Sequence, residues 1–334
     1  FVYSELEQGR QYNKLGMRQL ELYGLSWDDL VFNQRLRADQ VTLIKPSIQF
    51  DLNTSRHKKN KNVFNLLAGL SKALQLQRLH IVQGEVNIKL PGEGTLELND
   101  ATILLQTHHL LQATSARDLR DAIQYLDFES GNFKWQDWQL NLNKGIFVGG
   151  QNTASAEIVN IQRGNQLKAS IWNLKAPFML FDEYMQLMAI HGLMWSKAQI
   201  NFLQQDSGKA ISVPNLILDN LTGSNTRFTW QDRENKLEGI VSSLQIAKWK
   251  SQDGQPYIDG LGFELNAIKA EGYQHLLLIE SWKETSNNHS QIKGLQLRQA
   301  NATDSVWIDI PEISAGILWN DWLSGQRNLK QLIL

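Results

Sequence analysis

The chain has 334 residues, no cysteine and a formal net charge of −1. Its length buries one large core, or two of about 150 residues each. The absence of Cys excludes a disulfide framework, a thiolate metal site and a thiol nucleophile. A balance of 33 basic against 34 acidic residues argues against a strong electrostatic nucleic-acid binder. No run reaches the roughly 18 apolar residues of a spanning helix.

In chain order, the first helical signal is Ser26 to Val31, where a capping-type Ser precedes Asp29 by three residues. Val63 to Leu76 carries Phe64, Leu67, Leu70 and Leu74 at helical spacing. Period-two alternation then dominates. Val86, Ile88 and Leu90 fall on one face of a strand, Pro91 to Gly94 is turn chemistry, and Leu96 and Leu98 resume the alternation. Ser115 to Ile123 offers a third short helix, and the Met-rich run Phe181 to Ile190 a fourth. Short alternating segments recur at Phe133–Leu142, Leu167–Trp172, Leu216–Leu218, Phe228–Trp230, Leu244–Ile246, Phe263–Leu265, Leu295–Leu297 and Val306–Ile310. This spacing predicts a mainly β fold, a large antiparallel sheet with a few short helices. Residues 1–334 read as one continuous β-rich module, with the helices in 1–125 and repeated hairpins in 126–334.

One long-range repeat is visible. Gly24, Trp27, Asp29, Gln34 and Arg35 recur as Gly316, Trp319, Asp321, Gln326 and Arg327, and Val41–Leu43 then faces Leu332–Leu334. The pattern predicts a strand, a helical turn and a second strand, used twice.

Catalytic signatures are missing. There is no phosphate-binding Gly loop, no nucleophile elbow and no complete dinucleotide fingerprint. His108–His109 is the only His pair, and neighbours on a strand point to opposite faces, so a shared metal is not expected. Asp28 and Asp29 read as acids of a helix N-terminus, and His191 as the end of the Met-rich helix. The basic cluster Arg56 to Lys61 reads as a solvated loop. The 11 Trp are expected mostly in the sheet core, with Trp135 and Trp138 on opposite faces. No catalytic, cofactor or metal residue is expected.

Two stretches carry a family likeness. Leu20 to Leu25, a short helix and Val41 to Ile48, with Lys45-Pro46-Ser47-Ile48 at its end, resemble the opening of AsmA-like proteins. Leu79 to Ile88, with Gly84 before Val86, resembles their next element. The likeness covers residues 18–106. It implies an elongated, twisted sheet curled into a groove or open barrel, with an apolar inner face for acyl chains. It also implies a non-enzymatic, periplasmic lipid-transfer protein of a diderm bacterium, tethered to the inner membrane and serving outer-membrane assembly. Its partners would be a phospholipid or other acyl-chain lipid, and the membrane through an N-terminal anchor missing before Phe1. The expected lipid contacts are Val86, Ile88, Leu90, Leu96, Leu98, Met185 and Met188. The competing expectation is a structural β-repeat scaffold or adhesin-like protein without lipid.

Overall fold

The computed structural model describes residues 2–7, 10–51, 74–90, 94–112, 120–181, 187–204, 216–252, 255–272, 274–285, 289–300, 306–317 and 329–333. The chain is mainly β. It divides into two compact units, one of residues 1–157 with 181–186, the other of 158–180 with 187–334.

The first unit contains β1 (Val2–Glu7), β2 (Arg10–Gly16), β3 (Gln19–Tyr23), α1 (Trp27–Asn33), β4 (Leu36–Ile44), β5 (Ser47–Asp51), β6 (Leu74–Leu90), β7 (Gly94–Gln106), α2 (Thr107–Gln112), β8 (Ile123–Trp135) and β9 (Trp138–Val148). β10 (Thr153–Arg163) leads into the second unit. That unit continues with β11 (Leu167–Ala176), β12 (Phe178–Phe181), β13 (Leu187–His191), β14 (Met194–Trp195), β15 (Lys197–Leu203), β16 (Leu216–Gln231), β17 (Asn235–Gln252), β18 (Gln255–Gly272), β19 (His275–Thr285), β20 (His289–Gln299), β21 (Val306–Ile317) and β22 (Leu329–Ile333).

The predicted hairpins form, but on strands far longer than the alternating segments suggested. Leu90 of β6 faces Gly94 of β7, and the ladder runs back to Arg78 and Gln106. The sheets are mixed, not wholly antiparallel. β4 and β5 pair parallel with β6, and β13, β14 and β15 pair parallel with β16. Each parallel neighbour is reached through a long connection, 52–73 or 204–215, and parallel pairing requires a crossover of about a dozen residues or more.

The short alternating segments join into long strands by a repeated device. In β18 the inward residues run Ile258, Leu261, Phe263, Leu265, Ile268 and Ala270, so the step is three residues across Gly260 (φ 59) and across Ala267 (φ 50). In β16 the same longer step falls across Asn220 (φ 53) and Asn225 (φ 46). In the first unit it falls at Lys45, Gln83, Asp100 and Lys144, all with positive φ. A left-handed residue reverses the local pleat, so the face that was apolar before it stays apolar after it. At Lys45 the bend is completed by Pro46, which is fully buried. There the ladder resumes at once: the Lys45 N–H donates to Val82 O at 2.9 Å, and the Glu85 N–H to Pro46 O at 2.8 Å.

Aromatic rings lie over glycines on the same face. Phe128 pairs with Gly145, where a Cβ would stand 2.1 Å from the ring. Trp195 covers Gly223 in the same way, at 2.2 Å. The ring occupies the space a neighbouring side chain would take.

α1 forms as expected. The Ser26 hydroxyl accepts from the Asp29 N–H at 3.3 Å and donates to the Asp29 carboxylate at 2.9 Å. Hydrogen bonds from Asn33 and Ser26 hold that carboxyl below its ordinary value. The repeat also has a structural counterpart. β3 and β4 pair antiparallel around α1, and β21 and β22 pair antiparallel around 318–328, which lie outside the described residues.

Of the other expected helices, one is corrected and two lie mostly outside the described residues. Residues 74–76 belong to β6, the rest of the Val63–Leu76 segment lying outside the described residues. Only 120–122 of the Ser115–Ile123 segment are described as helical, and Ile123 opens β8. Leu187 to Ile190 is strand, with Ala189 opposite Ile217, because a short apolar run fits a buried strand as well as a helix.

Replacing Gly145 by Val forces a side chain into the Phe128 ring. Urea unfolding should show a loss of about 1–3 kcal/mol; a change below about 0.5 kcal/mol would mean that the ring moves aside freely.

Candidate functional site

Cross-strand partners share a face, so the registers sort every side chain. In the second unit one face carries Leu221, Phe228 and Trp230 of β16, Leu237, Leu244 and Ile246 of β17, Leu261, Phe263 and Leu265 of β18, Ile279 and Trp282 of β19, Ile292 and Leu295 of β20, and Ile310 and Ile313 of β21. The opposite face carries Lys236, Glu238, Lys248, Asp259, Lys269, Glu271 and Lys283. There Lys236 pairs with Glu238 at 2.8 Å and Lys269 with Glu271 at 2.5 Å, exposed ion pairs that add little stability.

Much of the apolar face stays within reach of solvent. Trp230, Leu237, Leu244, Phe263, Leu277, Trp282, Leu295 and Leu297 are half-buried. At one end Trp230, Leu237, Ala270, Leu277 and Leu297 line a hollow of about 330 Å³, with Asn235 and His275 on the same face beside them. His275 meets Trp307 edge-on, ring centroids 4.9 Å apart, and Trp307 is 53% exposed. At the other end a polar pair interrupts the apolar surface: the buried Ser290 hydroxyl donates to the Glu284 carboxylate, in register across β19 and β20.

The sequence-predicted contacts fall elsewhere. Val86 faces Leu98, Ile88 faces Leu96, and Leu90 faces Gly94. These residues therefore come together on one face. Val86 and Leu98 are each only 7% exposed, within a buried cluster with Val41, Leu43, Ile48, Ile81 and Ala101; Ile88 and Leu96 pack against it half-buried. Met185 lies outside the described residues, and Met188 stands in β13. The hollow of the second unit escaped the sequence reading. Its members are scattered from Trp230 to Leu297, and only the strand register assembles them.

Other expectations are corrected. None of the described Trp is buried, so they form a half-covered surface instead of a closed core. Trp135 and Trp138 face each other across a two-residue turn, on the same face, because the chain reverses between them. His108 and His109 lie on α2 with their rings 3.8 Å apart. Among the described residues no group of His, Asp or Glu could hold a metal. His191 ends a strand, and its Nδ1 lies 2.9 Å from the Asp219 carboxylate. The basic cluster Arg56 to Lys61 lies outside the described residues.

The rim of the hollow is held by a tight turn. The Asp232 carboxylate accepts from the N–H groups of Glu234 (2.8 Å) and Asn235 (2.6 Å) and from the Asn235 amide (3.0 Å). Among the described residues no helix is long and apolar enough to cross a membrane. No protein-family model matches the chain, and no curated protein matches it either.

The Asn235 side chain first, then the two backbone N–H groups, hold the Asp232 carboxyl below its ordinary value of 3.8. The turn's stabilisation is therefore complete above 3.8 and is lost as pH falls through the lowered value. NMR should show the Glu234 and Asn235 amides titrating with a midpoint below 3.8, and Asp232→Asn should abolish that titration.

Proposed function

We propose that the protein is a non-enzymatic lipid-handling module that holds acyl chains against the apolar face of its second unit. The observation that carries this reading is the half-buried apolar surface ending in the hollow of Trp230, Leu237, Ala270, Leu277 and Leu297. A surface of this kind gains about 0.8 kcal/mol for each CH₂ that it removes from water, and extended apolar patches mark binding faces. The polar side chains of Asn235 and His275 beside the hollow suit a headgroup left in water. The likeness of residues 18–106 to AsmA-like proteins supports the same reading. It extends the proposal to the periplasm of a diderm bacterium and to outer-membrane lipid traffic.

The first unit favours a second role for its own residues. Val86 and Leu98 belong to a closed cluster, so there the apolar face acts as a structural core. Lipid contact is accordingly assigned to the second unit, with Ile88 and Leu96 as packing residues.

Organic extracts of the purified chain, analysed by mass spectrometry, should contain phospholipid or fatty acid, and a fluorescent phospholipid should load. Leu277→Asp with Leu297→Asp, a facing pair on the open surface, should reduce loading at least tenfold while leaving the far-ultraviolet circular dichroism intact. Val86→Asp should instead unfold the first unit. A lipid-free protein that loads no probe would overturn the proposal in favour of a structural scaffold.

A further inference from the structure

The polar face of the first unit carries a second concavity, independent of any lipid surface. Its floor is a grid of side chains from β3, β4 and β6. Tyr23, Gln40 and Arg78 stand in one cross-strand row, and Glu21, Thr42 and His80 in the next. Together they floor a hollow of about 660 Å³, within the roughly 300–1,000 Å³ of small-molecule sites. Asp39 and Gln77 border one end, but their side chains alternate to the opposite face, where the Gln77 amide donates to the Asp39 carboxylate at 3.3 Å. Ile44 and Val82 close the other.

The walls present both kinds of hydrogen-bonding group. Glu21 accepts, Arg78 donates, and Gln40, Thr42 and His80 do both. One carboxylate against one guanidinium leaves no positive excess, which disfavours a phosphate. Tyr23 is 51% exposed, so an aromatic face borders the hollow. Its hydroxyl donates to the Glu21 carboxylate, whose other oxygen accepts from the Gln19 amide at 2.7 Å. The floor is therefore held in place before any ligand arrives.

Vicinal hydroxyls both donate and accept, and the C–H face of a sugar ring packs on an aromatic ring. A sugar thus uses acceptors, donors and an aromatic surface together and carries no net charge of its own. We infer that the hollow of Glu21, Tyr23, Gln40, Thr42, Arg78 and His80 is a saccharide-binding site.

A glycan array of neutral, amino and acidic sugars, probed with the purified chain, should identify ligands. Saturation-transfer NMR with the best oligosaccharide should then show saturable binding. Tyr23→Ala and Glu21→Gln should each weaken that binding at least tenfold without moving the melting temperature, while Lys134→Ala, on a distant strand, should leave it unchanged. Inorganic phosphate is the competing probe. Failure to bind any glycan, sugar binding that survives both substitutions, or binding of phosphate alone would overturn the inference.

Discussion

Everything in this structure depends on keeping one side of a single sheet apolar along very long strands. Strands such as Asn235–Gln252 and Gln255–Gly272 are longer than one uninterrupted alternation. Left-handed residues at Asn220, Asn225, Gly260, Ala267 and Gly294 restart the alternation in phase with the neighbouring strands. In the first unit Lys45, Gln83, Asp100 and Lys144 do the same. Without this restart, half of each strand would turn its Leu and Ile toward the polar side and its Lys and Glu toward the apolar one.

An apolar side must be covered or left half-exposed. The two units meet that problem differently. The first gathers Val41, Leu43, Ile48, Ile81, Val86, Leu98 and Ala101 into a buried cluster and lays Phe128 over its glycines. The second leaves Trp230, Phe263, Trp282 and several Leu half-covered. The functional proposal follows from that difference. The proposed role rests on an apolar surface that, among the described residues, stays half-covered, in contrast to the closed cluster.

The polar sides have their own chemistry. Ion pairs such as Lys144–Glu157, at 2.9 Å, are exposed and hold little of the fold. On β3, β4 and β6, however, the polar side gathers Glu21, Gln40, Arg78, His80 and a Tyr ring around one concavity. The inverted pleat that preserves the apolar face thus also positions the polar one, since both sides of a strand move together.

Much of this was legible in the residues. Alternation at Val86–Leu90 and Leu96–Leu98 determined a hairpin, Ser26 with Asp29 determined the α1 cap, and the Gly24/Gly316 repeat marked two antiparallel strand pairs. These are local signals, set by side-chain period and capping chemistry within a few residues. The parallel pairings, the length of the strands and the strand character of Leu187–Ile190 were not legible, because they depend on partners far away in the chain. The same holds for which apolar residues are core and which are surface: Val86 and Leu277 look alike in the sequence. By itself the sequence determined that each strand has an apolar and a polar side. Only the tertiary structure decided which of those sides is sealed, because burial is a property of neighbours brought together by register, not of any one strand.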